Sequence, residues 1–159
     1  MRAIAARHAH LFDLPALMHD PDETVRLQVA LRIPVAGLTR MRADPHREMR
    51  IRVAMRIAET ELAAMRDDPD YQVREVVARR LPPALLPTMA ADADAQVRRE
   101  VARRIGMPAL LRLAHDPAPE VRRVVAERLP SPLLHVFDGD DDVIVAHTAA
   151  TRHAEATHG

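Results

Sequence analysis

Asp68-Pro69-Asp70-Tyr71-Gln72-Val73-Arg74-Glu75-Val76-Val77-Ala78-Arg79-Arg80-Leu81-Pro82 is the stretch whose reading decides the fold. Val73, Val77, Ala78 and Leu81 fall at i, i+4, i+5 and i+8, the spacing of one helical face. Pro82 pushes the residue before it out of the helical region and predicts a stop there. The same wording returns every 24 residues, on Asp20, Asp44, Asp68, Asp92, Asp116 and Asp140. With each of these aspartates numbered as position 0, the apolar residues stand at positions 5, 9, 10 and 13. The aspartate reads as an N-cap and the following Pro21, Pro45, Pro69 and Pro117 as first helical residues, where a missing N–H costs nothing.

The rest of each repeat carries apolar residues at positions 18 and 21: Leu38 and Met41, Leu62 and Met65, Leu86 and Met89, Leu110 and Leu113, Leu134 and Phe137. Three-residue spacing fits a short 3₁₀ turn. Pro83, Pro87, Pro108 and Pro132 argue against a long second helix. The second repeat, with Ala58-Glu59-Thr60-Glu61-Leu62-Ala63-Ala64 free of proline, is expected to form a true α-helix there. The phase extends upstream, with Arg2, Ala5, Ala6, Leu14 and Leu17 at positions 6, 9, 10, 18 and 21. The expected organisation is one repeat domain over residues 1–150. It comprises a partial repeat 1–19, full repeats 20–43, 44–67, 68–91, 92–115 and 116–139, a partial repeat 140–150, and a frayed tail 151–159. No single repeat buries its apolar stripe alone; stacking makes the core.

Composition limits the chemistry. The chain has 159 residues, 48% of them hydrophobic but only 2% aromatic, so the core is aliphatic. The 23 basic residues, all arginine, balance 23 acidic ones. There is no cysteine, which removes disulfides, thiolate nucleophiles and thiolate-held metals. No apolar run approaches the ~20 residues of a membrane span, and no secretory signal is visible; the expected location is cytoplasmic.

The stretches 68–82 and 116–130 resemble the leucine-rich repeat variant family. The resemblance implies an all-α, right-handed solenoid of 24-residue repeats, each an α-helix plus a short 3₁₀ or α-helix, related to HEAT and armadillo arrays. Despite the name it implies no β-strands. Relatives can carry a Cys-rich domain holding a 4Fe–4S cluster; those cysteines are absent here, so no cofactor is expected on this chain. One alternative reading follows: the repeat portion of an iron–sulfur protein whose cluster domain lies outside the sequence.

Two arginine rows are the candidate sites. Arg26, Arg50, Arg74, Arg98 and Arg122, with Arg2 in phase, occupy position 6, among the inward-facing positions. A charge there must be paired, and a structural ladder with Asp44, Asp68, Asp92 and Asp116 is the expectation. Arg32, Arg56, Arg80, Arg104 and Arg128, with Arg152 in phase, occupy position 12, beside the apolar face and near the helix C-terminus. These are the candidate partner-binding residues, since guanidinium suits carboxylate and phosphate.

The nine histidines show no closed ligand set. Asp138-Gly139-Asp140-Asp141-Asp142 has Val143 and Ala149 where a calcium loop needs glycine and glutamate. The lone serine, Ser131, lies between prolines, and no glycine-rich phosphate loop exists. The expected function is therefore a non-enzymatic scaffold that binds an unidentified protein through an Arg-lined face. A nucleic-acid-binding HEAT-like module is the other alternative, disfavoured by zero net charge and a single tyrosine. End-to-end self-association is expected to be open to an array whose terminal repeats are partial.

Overall fold

The computed structural model describes residues 2–157. The long helices are α1 (Arg2–His8), α2 (Glu23–Arg32), α3 (Arg47–Arg56), α4 (Tyr71–Arg80), α5 (Ala95–Arg104), α6 (Pro119–Arg128) and α7 (Val143–Thr157). No strand occurs among the described residues. By its contacts the chain divides into two units, residues 1–81 and 82–159, the division falling inside the third repeat. In the first unit, α1, α2, α3 and α4 pack in succession; in the second, α5 packs on α6 and α6 on α7. Each short segment lies against the next long helix of its unit: Leu14–Leu17 on α2, Thr39–Met41 on α3, Ala63–Met65 on α4, and likewise from Pro83–Met89 onward.

The helices start three residues later than the repeat aspartate. Position 2 supplies the N-cap: Asp22, Asp70 and Asp94 accept from the backbone amides of Thr24, Gln72 and Gln96 at 2.8–2.9 Å. The position-0 aspartate instead folds the loop before the helix, accepting from the amide two residues on in each repeat, as in Asp68 from Asp70 at 2.9 Å. The prolines at position 1 therefore belong to this turn. An Asp-Pro-x-Asp pattern offers two capping carboxylates, and the second sits where the first-turn amides point.

Each ten-residue helix ends at position 12. Position 13 then turns extended, with ψ of 141° at Ile33, 153° at Ile57 and 145° at Leu129. This holds at Ile57 and Ile105, where the next residue is Ala58 or Gly106 rather than proline, so burial of the position-13 side chain suffices. The short segments follow the proline pattern only in part. Pro83–Met89 and Ser131–Phe137 are wholly 3₁₀. Val35–Leu38, Glu59–Leu62 and Ala109–Arg112 each form one α-turn that tightens to 3₁₀ over the next three residues. The second repeat's expected α-helix is that single turn.

The core is the predicted set. Positions 5, 9, 10 and 13 are buried from Val25, Val29, Ala30 and Ile33 to Val121, Val125, Ala126 and Leu129, and so are the position 18 and 21 pairs. At the N-terminal end Met18, 3% exposed, occupies the buried place expected of Leu17. The side chains of Arg2 and Ala5 lie outside the described residues. Residues 151–157, expected to fray, are the continuation of α7. No helix among the described residues is long and apolar enough to cross a membrane.

Candidate functional site

The position-6 arginines reach forward one repeat. Arg26 donates from Nε and Nη2 to the two carboxylate oxygens of Asp44 at 2.7 and 3.0 Å. Arg50 grips Asp68 at 2.8 and 3.0 Å, Arg98 grips Asp116 at 2.7 and 2.9 Å, and Arg122 grips Asp140 at 2.8 and 2.7 Å. The remaining guanidinium nitrogen turns back on its own repeat. Arg26 Nη1 donates to the carbonyls of Asp20 and Pro21, and Arg74 Nη1 to those of Asp68 and Pro69. Asp92, in the second unit, accepts from the Asp94 amide at 2.9 Å. Each complete rung thus fixes a loop turn, a helix and the next repeat's loop through one fork-shaped cation.

These rungs are largely buried. The Arg26 and Asp44 side chains are 8% and 5% exposed. Burial pushes the Asp44 carboxyl up, but the Arg26 guanidinium and the His46 amide outweigh it and hold the group below the usual carboxylate value. For Asp140 the Arg122 hydrogen bonds are the largest influence and also hold it low. Arg26, Arg50, Arg98 and Arg122 are raised, chiefly by the hydrogen bonds to their aspartates.

The position-12 arginines reach the opposite way. Arg32 donates to the carbonyls of Ala6 and Ala9, both at 2.6 Å, and Arg80 to those of Ala54 and Ile57 at 2.6 and 2.9 Å. Arg56 takes Ala30 and Ile33, Arg128 takes Ala102 and Ile105, and Arg152 takes Ala126 and Leu129. Arg104, at the end of α5, is half-buried. Positions 10 and 13 are where the preceding helix leaves carbonyls without intrahelical partners. One guanidinium closes two of them and places a cation at the negative end of that helix. The row expected to face a partner is therefore a set of inter-repeat C-caps.

What faces outward on the long helices is carried by positions 7 and 11, and it differs along the chain. On α2 and α3 these include Leu27, Leu31, Ile51 and Met55; Leu31 and Met55 are each 46% exposed, and Ile4 of α1 is 62% exposed. Exposed Arg7 and Arg52 lie one helical turn from Ile4 and Met55. On α5 and α6 the same positions carry Arg99, Arg103, Arg123 and Glu127. Glu100, 4% exposed, is a buried carboxylate bonded to Arg103 that the sequence reading did not single out; its place among the valines Val76 and Val124 of position 8 was the signal.

The remaining candidates are absorbed locally. Asp140 serves the Arg122 rung and Asp142 caps α7, so the acidic run is turn structure. His46 Nδ1 lies 2.5 Å from Glu23 Oε2 on the surface, and His153 Nδ1 lies 3.3 Å from Ser131 Oγ. Among the described residues no three histidine, aspartate or glutamate side chains converge as metal ligands, and the sequence has no cysteine. The residues present do not fit a thiolate-held iron–sulfur cluster.

The geometry defines a class: alternating α- and 3₁₀-helical repeats fastened by forward and backward arginines. Residues 71–94 match the family model described as leucine rich repeat variant. A solved structure described as a leucine-rich repeat variant with a novel repetitive protein structural motif superposes with a TM-score of 0.90 at 38% identity, over 95% of this chain. The chain spans 64% of that structure's length. No curated protein sequence matches it. These are leucine-rich repeat variant repeats, and the chain belongs with that family.

Proposed function

We propose that this chain is a non-catalytic repeat scaffold that binds a protein partner through the outer helix face of its first unit. The observation that carries the reading is the apolar strip on two adjacent helices formed by exposed Leu31 and Met55 with half-buried Leu27 and Ile51. Most position-11 side chains elsewhere are charged, as in Arg79, Arg103 and Glu127, and solvate the surface. A contiguous exposed apolar patch marks a contact surface more often than scattered apolar residues do. The position-12 arginines contribute indirectly, by holding α2, α3 and α4 in the register that aligns the strip. Zero net charge supports a protein partner over nucleic acid.

The test is photo-crosslinking in the native host from Leu31 or Met55, with Arg103 as the control position. A discrete protein adduct from the first two, lost in a Leu31→Glu/Met55→Glu variant that keeps its circular dichroism, is the expected result. Adducts of equal yield from Arg103, or retained in the variant, would overturn the reading. A gel shift at low salt that survives the double variant would favour nucleic acid instead.

A further inference from the structure

Two fasteners join each repeat to the next within a unit. The earlier repeat gives a position-6 arginine to the next repeat's aspartate. The later repeat gives a position-12 arginine to the carbonyls at positions 10 and 13 of the earlier one. The last repeat receives both. Asp140 takes the Arg122 fork, and Arg152 closes the carbonyls of Ala126 and Leu129 at 2.7 and 2.8 Å.

It offers neither onward. Position 6 of this repeat is Ala146, which has no cation to give. The acceptor carbonyls at Ala150 and His153 are also withdrawn. The other long helices of the full repeats stop at position 12, where a buried Ile or Leu at position 13 turns the chain. Here His153 replaces that buried residue, and α7 runs on to Thr157, fifteen residues in place of ten. In a continuing helix the carbonyls of Ala150 and His153 accept from the amides four residues on, at Ala154 and Thr157.

The surface left behind suits water. Ala30, Ala54, Ala78, Ala102 and Ala126 are fully buried, whereas Ala150 is exposed. Ile33, Ile57, Leu81, Ile105 and Leu129 are at most 2% exposed, whereas position 13 of the last repeat is an exposed histidine. The shallow groove of about 390 Å³ between Ser131–Phe137 and α7 is floored by Leu134 and Ala149 and rimmed by His135, Asp138, His153 and Thr157. Ala150 and His153 therefore stand exposed at two positions that are buried core in the full repeats. Terminal repeats of arrays need such a solvated outer face.

We infer that α7 is a terminating cap: it accepts both connectors of the repeat lattice and closes both outgoing ones, so no repeat and no second copy of this chain stacks on this face in repeat register. Self-association end to end is thereby blocked at the C-terminal face. The substitutions responsible are two and separable, at Ala146 and His153.

Two measurements on the intact chain test this. Amide exchange should show protection continuing from Arg152 to Thr157, and sedimentation should show a monomer up to millimolar concentration, where a contact with Kd of about 1 mM would register. The variant Ala146→Arg/His153→Leu/Ala154→Pro restores the donor and the core residue and adds a proline that enforces the break. It should lose protection beyond Arg152 and associate with concentration. Unprotected amides from residue 153 onward in the natural chain would overturn the cap. So would a natural-chain dimer abolished by Ala150→Glu. Both of these outcomes are readable whether or not the triple variant folds.

Discussion

A single arginine does different work at positions 6 and 12 because its fork meets different acceptors. At position 6 it meets a carboxylate, and the pair is buried. Replacing Arg50 with alanine strands Asp68, whose side chain is 6% exposed, and should cost about 3 kcal/mol. Urea unfolding of Arg50→Ala measures it, and a loss below about 0.5 kcal/mol would mean the rung is incidental. At position 12 the acceptors are two carbonyls in two different places. Lysine lacks the planar fork whose two nitrogens Arg80 uses, one for each carbonyl, so Arg80→Lys should lose about 1–2 kcal/mol despite keeping its charge. Equal stability would show that charge alone matters there. Positions of charge were legible in the sequence. The direction in which each fork points was not, because the acceptors of Arg80 lie 26 and 23 residues away.

At the scale of the element, the helix starts separate two aspartates that look alike in sequence. Asp70 caps α4, while Asp68 folds the turn and receives Arg50. Asp70→Ala should therefore cost about 1 kcal/mol. The converse is sharper: the N-cap residue of α6 is Ala118, which gives no side-chain cap. Ala118→Asp should stabilise by about 1 kcal/mol, read as a higher unfolding midpoint. A neutral or destabilising result would place the cap elsewhere. The periodic apolar residues located α2 to α6 to within a few residues, since burial selects one face. The choice of capping aspartate eluded periodicity because both carboxylates precede the same amides.

At the scale of the whole molecule, the rungs recur in both units, and so does their response to acid. Asp44 in the first unit and Asp140 in the second are held below the ordinary value of 3.8. A carboxyl lowered in the folded state stabilises fully above its unfolded value, and that stabilisation is lost as pH falls through the folded one. Thermal midpoints should be flat from pH 6 to about pH 5 and fall steeply below about pH 4. Asp44→Asn and Asp140→Asn should each start lower and fall less. A midpoint that held steady to pH 2 would contradict the buried rungs.

What the sequence determined by itself is the period, the helical character of each segment, the aliphatic core and the inward place of the position-6 row. All of these follow from the local spacing of apolar residues and from chain stiffness at proline. Only the tertiary structure decided where the cations end. It turned the position-12 row from a contact surface into C-caps, because a helix terminus in the preceding repeat presents unbonded carbonyls at the right distance. It also left Leu31 and Met55 exposed on α2 and α3 and carried α7 through residues that read as a tail. Those outcomes depend on what stacks against what, and a periodic sequence specifies the faces of its helices more directly than the neighbours each face will meet.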